Sequence, residues 1–295
     1  MKVLMTGCNG QLGQSVTKEI NHKDFELLSF SKENLDITNI SDLTYIIEKL
    51  QPHFLLNTAA YTSVDGAEIN KDLAYKINQH GAKNLGIVSK KYNLPIIHFS
   101  TDFVFDGKSN VPYSPTSKTN PINVYGKSKL LGEKAILSLS DNFIIIRTSW
   151  VFSEFGNNFL KSIAKNILAG KDLHVISDQY GSPTYAGDIA KLVIQIIRSS
   201  QDYQLPNSIF HYAGNPIVSW YGFAKEIHDQ CLDFENFRSI AINNEVRAIS
   251  TSEYSNALAP RPSFSALSST KITSLYSIPP SNWKDRINEC LEQLS

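Results

Sequence analysis

Three glycines spaced three residues apart, in Gly7-Cys8-Asn9-Gly10-Gln11-Leu12-Gly13, directly follow the short apolar run Lys2–Thr6 and open a stretch of helical period, Leu12–Ile20. No other feature constrains the fold as strongly. A strand that enters a helix through glycines makes a tight turn where backbone can approach a ligand, and the free amides and dipole of the helix start favour a diphosphate there. The spacing is G-x-x-G-x-x-G rather than the older dehydrogenase pattern G-x-G-x-x-G. A phosphate-loop ATPase is the competing use of such a loop. Gly107-Lys108-Ser109 and Gly126-Lys127-Ser128 both end like one, but Asp102 and Pro121 stand where its first glycine belongs.

Short apolar runs then alternate with helical patterns, the mark of repeated βα units and a parallel sheet. Strands are expected at Lys2–Thr6, Glu26–Ser29, Phe54–Asn57, Ile96–Ser100 and Phe143–Arg147, and helices at Leu12–Ile20, Ser41–Leu50, Lys71–Tyr92 and Val124–Ser138. Ser41 is the expected cap of its helix, and Pro52 ends it. Further on, helices are expected at Asn158–Leu168, Asp188–Arg198 and Asn282–Leu294, and strands at His174–Ile176 and Ile209–Tyr212. The fold class expected is α/β, a Rossmann-type doubly wound parallel sheet with a smaller C-terminal substrate-binding lobe. Residues 1–150 form the dinucleotide-binding domain, with returns near 171–215, and 151–170 with 216–295 form mainly the substrate lobe.

With 28 basic and 28 acidic residues the chain carries no formal net charge, which argues against nucleic acid or an anionic membrane surface as partner. Cys8, Cys231 and Cys290 form no C-x-x-C pair, and the seven histidines lack ligand spacing, so neither a disulfide framework nor a metal site is expected. The apolar run before Gly7 is too short for a signal peptide or a membrane span. A cytoplasmic protein is expected.

Tyr125 and Lys129 lie four residues apart, on one face of a helix. Ketone reduction uses such a pair: a phenol donates a proton to the developing alkoxide, and a nearby cation lowers its pKa from about 10. Tyr45/Lys49 and Tyr221/Lys225 share the spacing, and position separates the three. The first belongs to a helix on the outer flank of the sheet and the second to the small lobe. Tyr125 opens the helix after the fourth strand, near Ser100-Thr101-Asp102 at that strand's carboxyl end, where open α/β sheets bind ligands.

The glycine loop, Ser100-Thr101-Asp102 and Tyr125 to Lys129 together resemble the extended short-chain dehydrogenase/reductases. Asn57 to Asp65, Ser100 to Gly107, Asn123 to Lys127, Arg147 to Val151, Asp178 to Thr184 and Arg261-Pro262 are similar, in order along the chain, to the dTDP-4-dehydrorhamnose reductase family among them. The resemblance implies reduction of the C4 ketone of dTDP-4-dehydro-6-deoxy-L-mannose by NADPH or NADH. It implies Tyr125 as general acid, Lys129 as ligand of the nicotinamide ribose and tuner of Tyr125, and Thr101 as hydrogen-bond partner of the keto oxygen. It assigns the cofactor to Gly7, Asn9, Gly10, Gln11, Leu12, Gly13, Asp36, Ile37, Ala59, Ala60 and Tyr61, beside Tyr125 and Lys129. Substrate falls to Val64, Thr101, Asp102, Phe103, Trp150, Asn158 and Arg261, the last facing the diphosphate. Phe103 departs from the family's usual tyrosine, which removes a hydroxyl from the expected pocket. The alternatives are a reductase or epimerase of another 4-keto sugar nucleotide, or a regulatory nucleotide-binding subunit without turnover.

The second strand ends in Leu28-Ser29-Phe30-Ser31-Lys32, without the acidic residue that would bind the ribose hydroxyls of NAD and repel a 2′-phosphate. Ser31 and Lys32 therefore favour NADPH, with NADH also accepted and Glu33 moderating the preference. Some relatives dimerise through a divalent metal held by a carboxylate two residues after the last loop glycine; Ser15 stands there, so a metal-independent monomer or weak homodimer is expected.

Overall fold

The computed structural model describes residues 1–20, 24–254 and 257–294. Its first half runs β1 (Lys2–Thr6), α1 (Gln11–Glu19), β2 (Glu26–Phe30), α2 (Ile40–Leu50), β3 (Phe54–Asn57), α3 (Val64–Ile69), α4 (Lys71–Tyr75), α5 (Ala82–Tyr92), β4 (Ile96–Thr101), α6 (Val124–Leu139) and β5 (Phe143–Thr148). The second half adds β6 (Val151–Phe152), α7 (Phe159–Leu168), β7 (Leu173–Ile176), β8 (Tyr180–Gly181), β9 (Thr184–Tyr185), α8 (Ala186–Ser199), β10 (Ser208–His211), β11 (Val218–Ser219), α9 (Trp220–Cys231), α10 (Glu235–Ala241), β12 (Val246–Ile249), α11 (Thr270–Tyr276) and α12 (Ile287–Leu291).

Six strands form one parallel sheet in the order β10-β5-β4-β3-β1-β2. Successive side chains face opposite sides, so Val3, Met5, Leu56, Ile97 and Ile146 pack with α1 and α8, whereas Leu4, Leu55, Ile96 and Ile145 pack with α2 and α5. Both faces are covered, which is why β3, β4 and β5 are buried at every position and open on consecutive apolar residues, Phe54–Leu56, Ile96-Ile97 and Phe143–Ile146, rather than alternating. The strand order reverses between β1 and β3. Ligands of open α/β sheets bind outside the carboxyl ends at such a point.

A second core joins α7, α9, α10, β7, Trp283 and α12 into the smaller lobe. The expected return near 171–215 divides: β7 pairs with β12 in that lobe, while α8 and β10 pack into the large sheet. The segment after β12 also contains α11, whose Ile272 is buried in the large core.

Three local expectations are corrected. The cap of α2 is Asn39, whose side chain accepts from the amides of Ser41 and Asp42; Ser41 is already inside the helix. The single helix expected over 71–92 is broken by a π-helical stretch at Lys76–Gly81. There Asn78 holds the backbone of Tyr61 through both its N–H (2.9 Å) and its carbonyl (3.0 Å), and donates to Ser128 Oγ on α6 at 2.9 Å. Residues 282–294 form a 3₁₀ turn, Trp283–Arg286, followed by the short α12.

Candidate active site

A cavity of about 800 Å³ opens along the carboxyl ends of β2, β1, β3, β4 and β5. Neighbouring strands lie about 4.8 Å apart, so the four intervals give it a length of roughly 19 Å. Gly7 adopts φ +78°, and a Cβ there would stand 2.5 Å from Ala59 N, so the turn against β3 requires glycine. Gly10 caps α1 without a side-chain acceptor, and the first turn of α1 has no acidic residue. The start of this nine-residue helix, Gly10, Gln11 and Leu12, forms part of the cavity wall. This bare cationic end fits a diphosphate. Gly13 does not line the cavity: a Cβ there would lie 2.6 Å from Cys8 Cα, so its role is the packing of helix on turn.

At the β2 end the wall includes Ser31, Lys32, Glu33, Asp36 and Ile37. Glu33 is held below the usual carboxylate range first by a hydrogen bond from Ser31, so the carboxylate already engages the hydroxyl expected to serve a 2′-phosphate. Ala59 and Ala60 line the wall after β3, whereas Tyr61 packs with Ala67, Ala74 and Val124, outside the lining.

At the β4 end Thr101, Asp102, Phe103, Tyr125 and Lys129 meet. Asn123 caps α6 by accepting from Gly126 N at 2.8 Å, which sets the helix start carrying Tyr125. Gly126 allows close contact, since a Cβ would stand 2.1 Å from Phe103 O. The Thr101 hydroxyl donates to Asp102 Oδ1 at 3.0 Å and stands close enough to the Tyr125 phenol to favour its ionised form. Phe103 packs edge-on against Tyr125 with centroids 5.7 Å apart. Lys129 is buried and its Nζ donates to Phe99 O at 2.6 Å.

Burial governs the electrostatics. It pushes the Tyr125 phenol up to about 12 and the Asp102 carboxyl up to about 6, and draws the Lys129 ammonium down to about 8. The lowered phenol pKa expected from Lys129 is therefore corrected: removal from water outweighs the opposing influence of Thr101, and the charge of Asp102 adds to the rise. Beneath Lys129 a buried chain links Thr6 Oγ1 to Asn57 Oδ1 (2.7 Å) and Asn57 Nδ2 to His98 Nδ1 (2.8 Å). Burial, and then the Lys129 charge, hold His98 well below its usual value and keep it neutral.

The remaining expected residues divide in the same way. Val64, Trp150, Asn158 and Arg261 all line the cavity. The Asn158 amide is committed elsewhere: it caps α7 by accepting from Lys161 N and donates to Gln11 Oε1 at 2.9 Å, tying the glycine loop to the small lobe. Arg261 Nη2 pairs with Asp65 at 2.7 Å, while its buried Nη1 has no partner and can receive an anionic oxygen. Ser100 lines the wall beside Thr101, and Thr148, Ser149, Asn157 and Trp220, which were not assigned to the site from the sequence, line it as well. The other two Tyr-x-x-x-Lys pairs stand away from this wall: Tyr45 is exposed with Lys49 over its ring, and Lys225 pairs with Asp229.

This site belongs with known proteins along its whole length. The family model described as the RmlD substrate binding domain matches residues 1–295. The chain belongs to this family. It is 41% identical to the dTDP-4-dehydrorhamnose reductase of Aggregatibacter actinomycetemcomitans over 96% of each protein. It is 35% identical to the spore coat polysaccharide biosynthesis protein SpsK of Bacillus subtilis, over 100% of this chain and 98% of that one. Among solved structures, the dTDP-4-dehydrorhamnose reductase of Bacillus anthracis, in complex with NADP, superposes with a TM-score of 0.89 at 32% identity, over 99% of both chains. Among the described residues no helix is long and apolar enough to cross a membrane, and no cluster of three His, Cys, Asp or Glu side chains could hold a metal.

Proposed function

We propose that this protein reduces the C4 ketone of dTDP-4-dehydro-6-deoxy-L-mannose to dTDP-L-rhamnose with NADPH. The carrying observation is one cavity that joins a bare helix N-terminus to Thr101, Tyr125 and Lys129. When bound, the nicotinamide supplies the hydride. Gly7, Gly10, Gln11 and Leu12 bind the diphosphate of that cofactor, Lys32 the 2′-phosphate, and Ala59 and Ala60 the span between. Tyr125, whose phenol is pushed up to about 12, holds its proton at neutral pH and donates it to the alkoxide forming at C4. Thr101 orients the same oxygen. Lys129, drawn down to about 8, remains mostly charged at pH 7 and stabilises the phenolate left behind.

Arg261 Nη1 takes the sugar-nucleotide diphosphate, and Trp150 forms an apolar wall for the substrate. Catalysis is favoured over a purely regulatory role because a binding module has no use for a phenol acid grouped with Thr101 and Lys129 at the end of its cofactor crevice. We place the protein in the cytoplasm, as a monomer or weak homodimer; the free thiols of Cys8, Cys231 and Cys290 suit a reducing compartment.

Purified protein with NADPH and a panel of 4-keto-6-deoxy sugar nucleotides tests the assignment through loss of reduced-cofactor absorbance. The expected result is the highest kcat/KM for dTDP-4-dehydro-6-deoxy-L-mannose. Turnover confined to another sugar would overturn the substrate, and binding of NADPH without turnover of any would overturn the reaction.

A further inference from the structure

Trp150 lies two residues past β5 and adopts φ +45°, a left-handed backbone conformation that a bulky residue rarely takes. Such a conformation persists when its surroundings over-determine it. Here the surroundings are specific. The Trp150 indole lies flat on the indole of Trp220, with ring centroids 3.4 Å apart and planes 6° apart. Its other neighbour is Gly181, where a Cβ would meet Trp150 Cε2 at 2.5 Å, so only a glycine leaves room for the ring. The Trp150 carbonyl is pinned by the Thr184 amide at 3.2 Å.

Trp220 in turn is fixed from the small lobe. It opens α9, whose cap Ser219 accepts from Gly222 N at 3.1 Å, and its ring packs on Phe159 with centroids 4.6 Å apart. Both tryptophans line the catalytic cavity. One indole thus comes from the carboxyl end of β5 in the large sheet and the other from the substrate lobe.

We propose that Trp220 is a positioning residue that holds Trp150 in its left-handed conformation as the sugar-nucleotide wall of the site. The proposal rests on the assignment of Trp150 to the substrate. Trp220 acts through that ring, so its loss affects the sugar nucleotide and leaves the cofactor end, on the glycine loop and β2, undisturbed.

Four proteins are compared: wild type, Trp150→Ala, Trp220→Leu, which fills volume without stacking, and Trp220→Phe, which restores an aromatic face. Stacked indoles couple their transitions, so circular dichroism reports the pair in the free protein, and NADPH affinity is measured by titration. Trp220→Leu is expected to lose the exciton signal, raise KM for the sugar nucleotide at least tenfold, and keep NADPH Kd within twofold. Trp220→Phe is expected to recover most of the KM. If Trp150→Ala raises KM and Trp220→Leu leaves it within twofold, the positioning role is overturned while the assignment of Trp150 stands. If Trp150→Ala itself leaves KM unchanged, both fall. An equal loss of NADPH affinity in Trp220→Leu would mark a general disruption of the fold and overturn the positioning role as well.

Discussion

Replacing Glu133 by Gln isolates the electrostatic support of the catalytic helix. Glu133 lies on α6 one turn after Lys129, and its two oxygens accept from Arg147 Nε at 2.9 Å and Arg147 Nη2 at 2.7 Å. Glu133 is 1% and Arg147 3% exposed, so water cannot replace either partner. His211 cannot take over the charge balance: it sits 3.4 Å from Arg147 Nη1 and is held down to about 3 by burial and by that guanidinium. Glu133→Gln therefore strands a buried cation, which costs about 3–5 kcal/mol. At about 2.1 cal/mol/K per residue, a chain of 295 residues has an unfolding entropy of ~0.6 kcal/mol/K, so Tm should fall by about 5–8 °C. Scanning calorimetry reads the shift. The doubly apolar variant Glu133→Leu/Arg147→Met, which removes both charges, should regain most of the loss. A second effect follows from the same charge. Glu133 raises the Lys129 pKa against the effect of burial, so its removal should move the alkaline limb of kcat/KM to lower pH. A Tm change below about 2 °C, or a double variant as unstable as the single one, would refute the stranded-charge argument.

Tyr125→Phe should lower kcat by about two orders of magnitude or more, the contribution of a positioned acid, with NADPH Kd from fluorescence titration unchanged. Lys32→Ala should reduce the NADPH over NADH preference severalfold, about 1 kcal/mol, in kcat/KM measured with each cofactor; an unchanged ratio removes Lys32 from the 2′-phosphate site. Asp102 titrates near 6 in the fold against 3.8 ordinarily, so stability from its neutral form is complete below 3.8 and lost as pH rises through about 6, roughly 3 kcal/mol in all. Asp102→Asn should accordingly raise Tm more at pH 8 than at pH 5, and the reverse order would refute burial as the cause.

What could be read from the chain itself was whatever depends on neighbours in sequence. β1, β3 and β4, the glycine loop and the start of α6 announce themselves through period and glycine, and the sheet supplies their context. The choice among three Tyr-x-x-x-Lys pairs followed from position relative to strand ends. What escaped depends on partners far along the chain. The π-helical stretch at Lys76–Gly81 has no local signal, because it exists where Asn78 meets Tyr61 and Ser128, 17 and 50 residues away. Asp65 claims one arm of Arg261 across 196 residues. Trp220 joins the site only because the small lobe folds back on β5. The raised Tyr125 pKa was equally invisible, since burial is a property of the folded cavity and a lysine four residues away is visible in any sequence.

The same burial explains why the reacting groups lie at β4 and the cations Lys32 and Arg261 lie elsewhere on the wall. Burial at the β4 end shifts Tyr125, Lys129 and Asp102 toward their neutral forms, although Asp102, near 6, is still mostly a carboxylate at pH 7. Lys32, after β2, is three strand intervals from β4, roughly 14 Å, and adds no charge to the transfer step. In such surroundings a charge that develops on the keto oxygen is poorly solvated, and proton transfer from Tyr125 quenches it. The phenolate so formed is stabilised by the Lys129 ammonium more strongly than it would be in water, because Coulomb interactions strengthen as the effective dielectric falls. The difference between a phenol near 12 and an ammonium near 8 means that the resting site holds neutral phenol beside cation at pH 7. That is the protonation state that reduction consumes, and raising the pH through about 8 removes the cation before the phenol loses its proton.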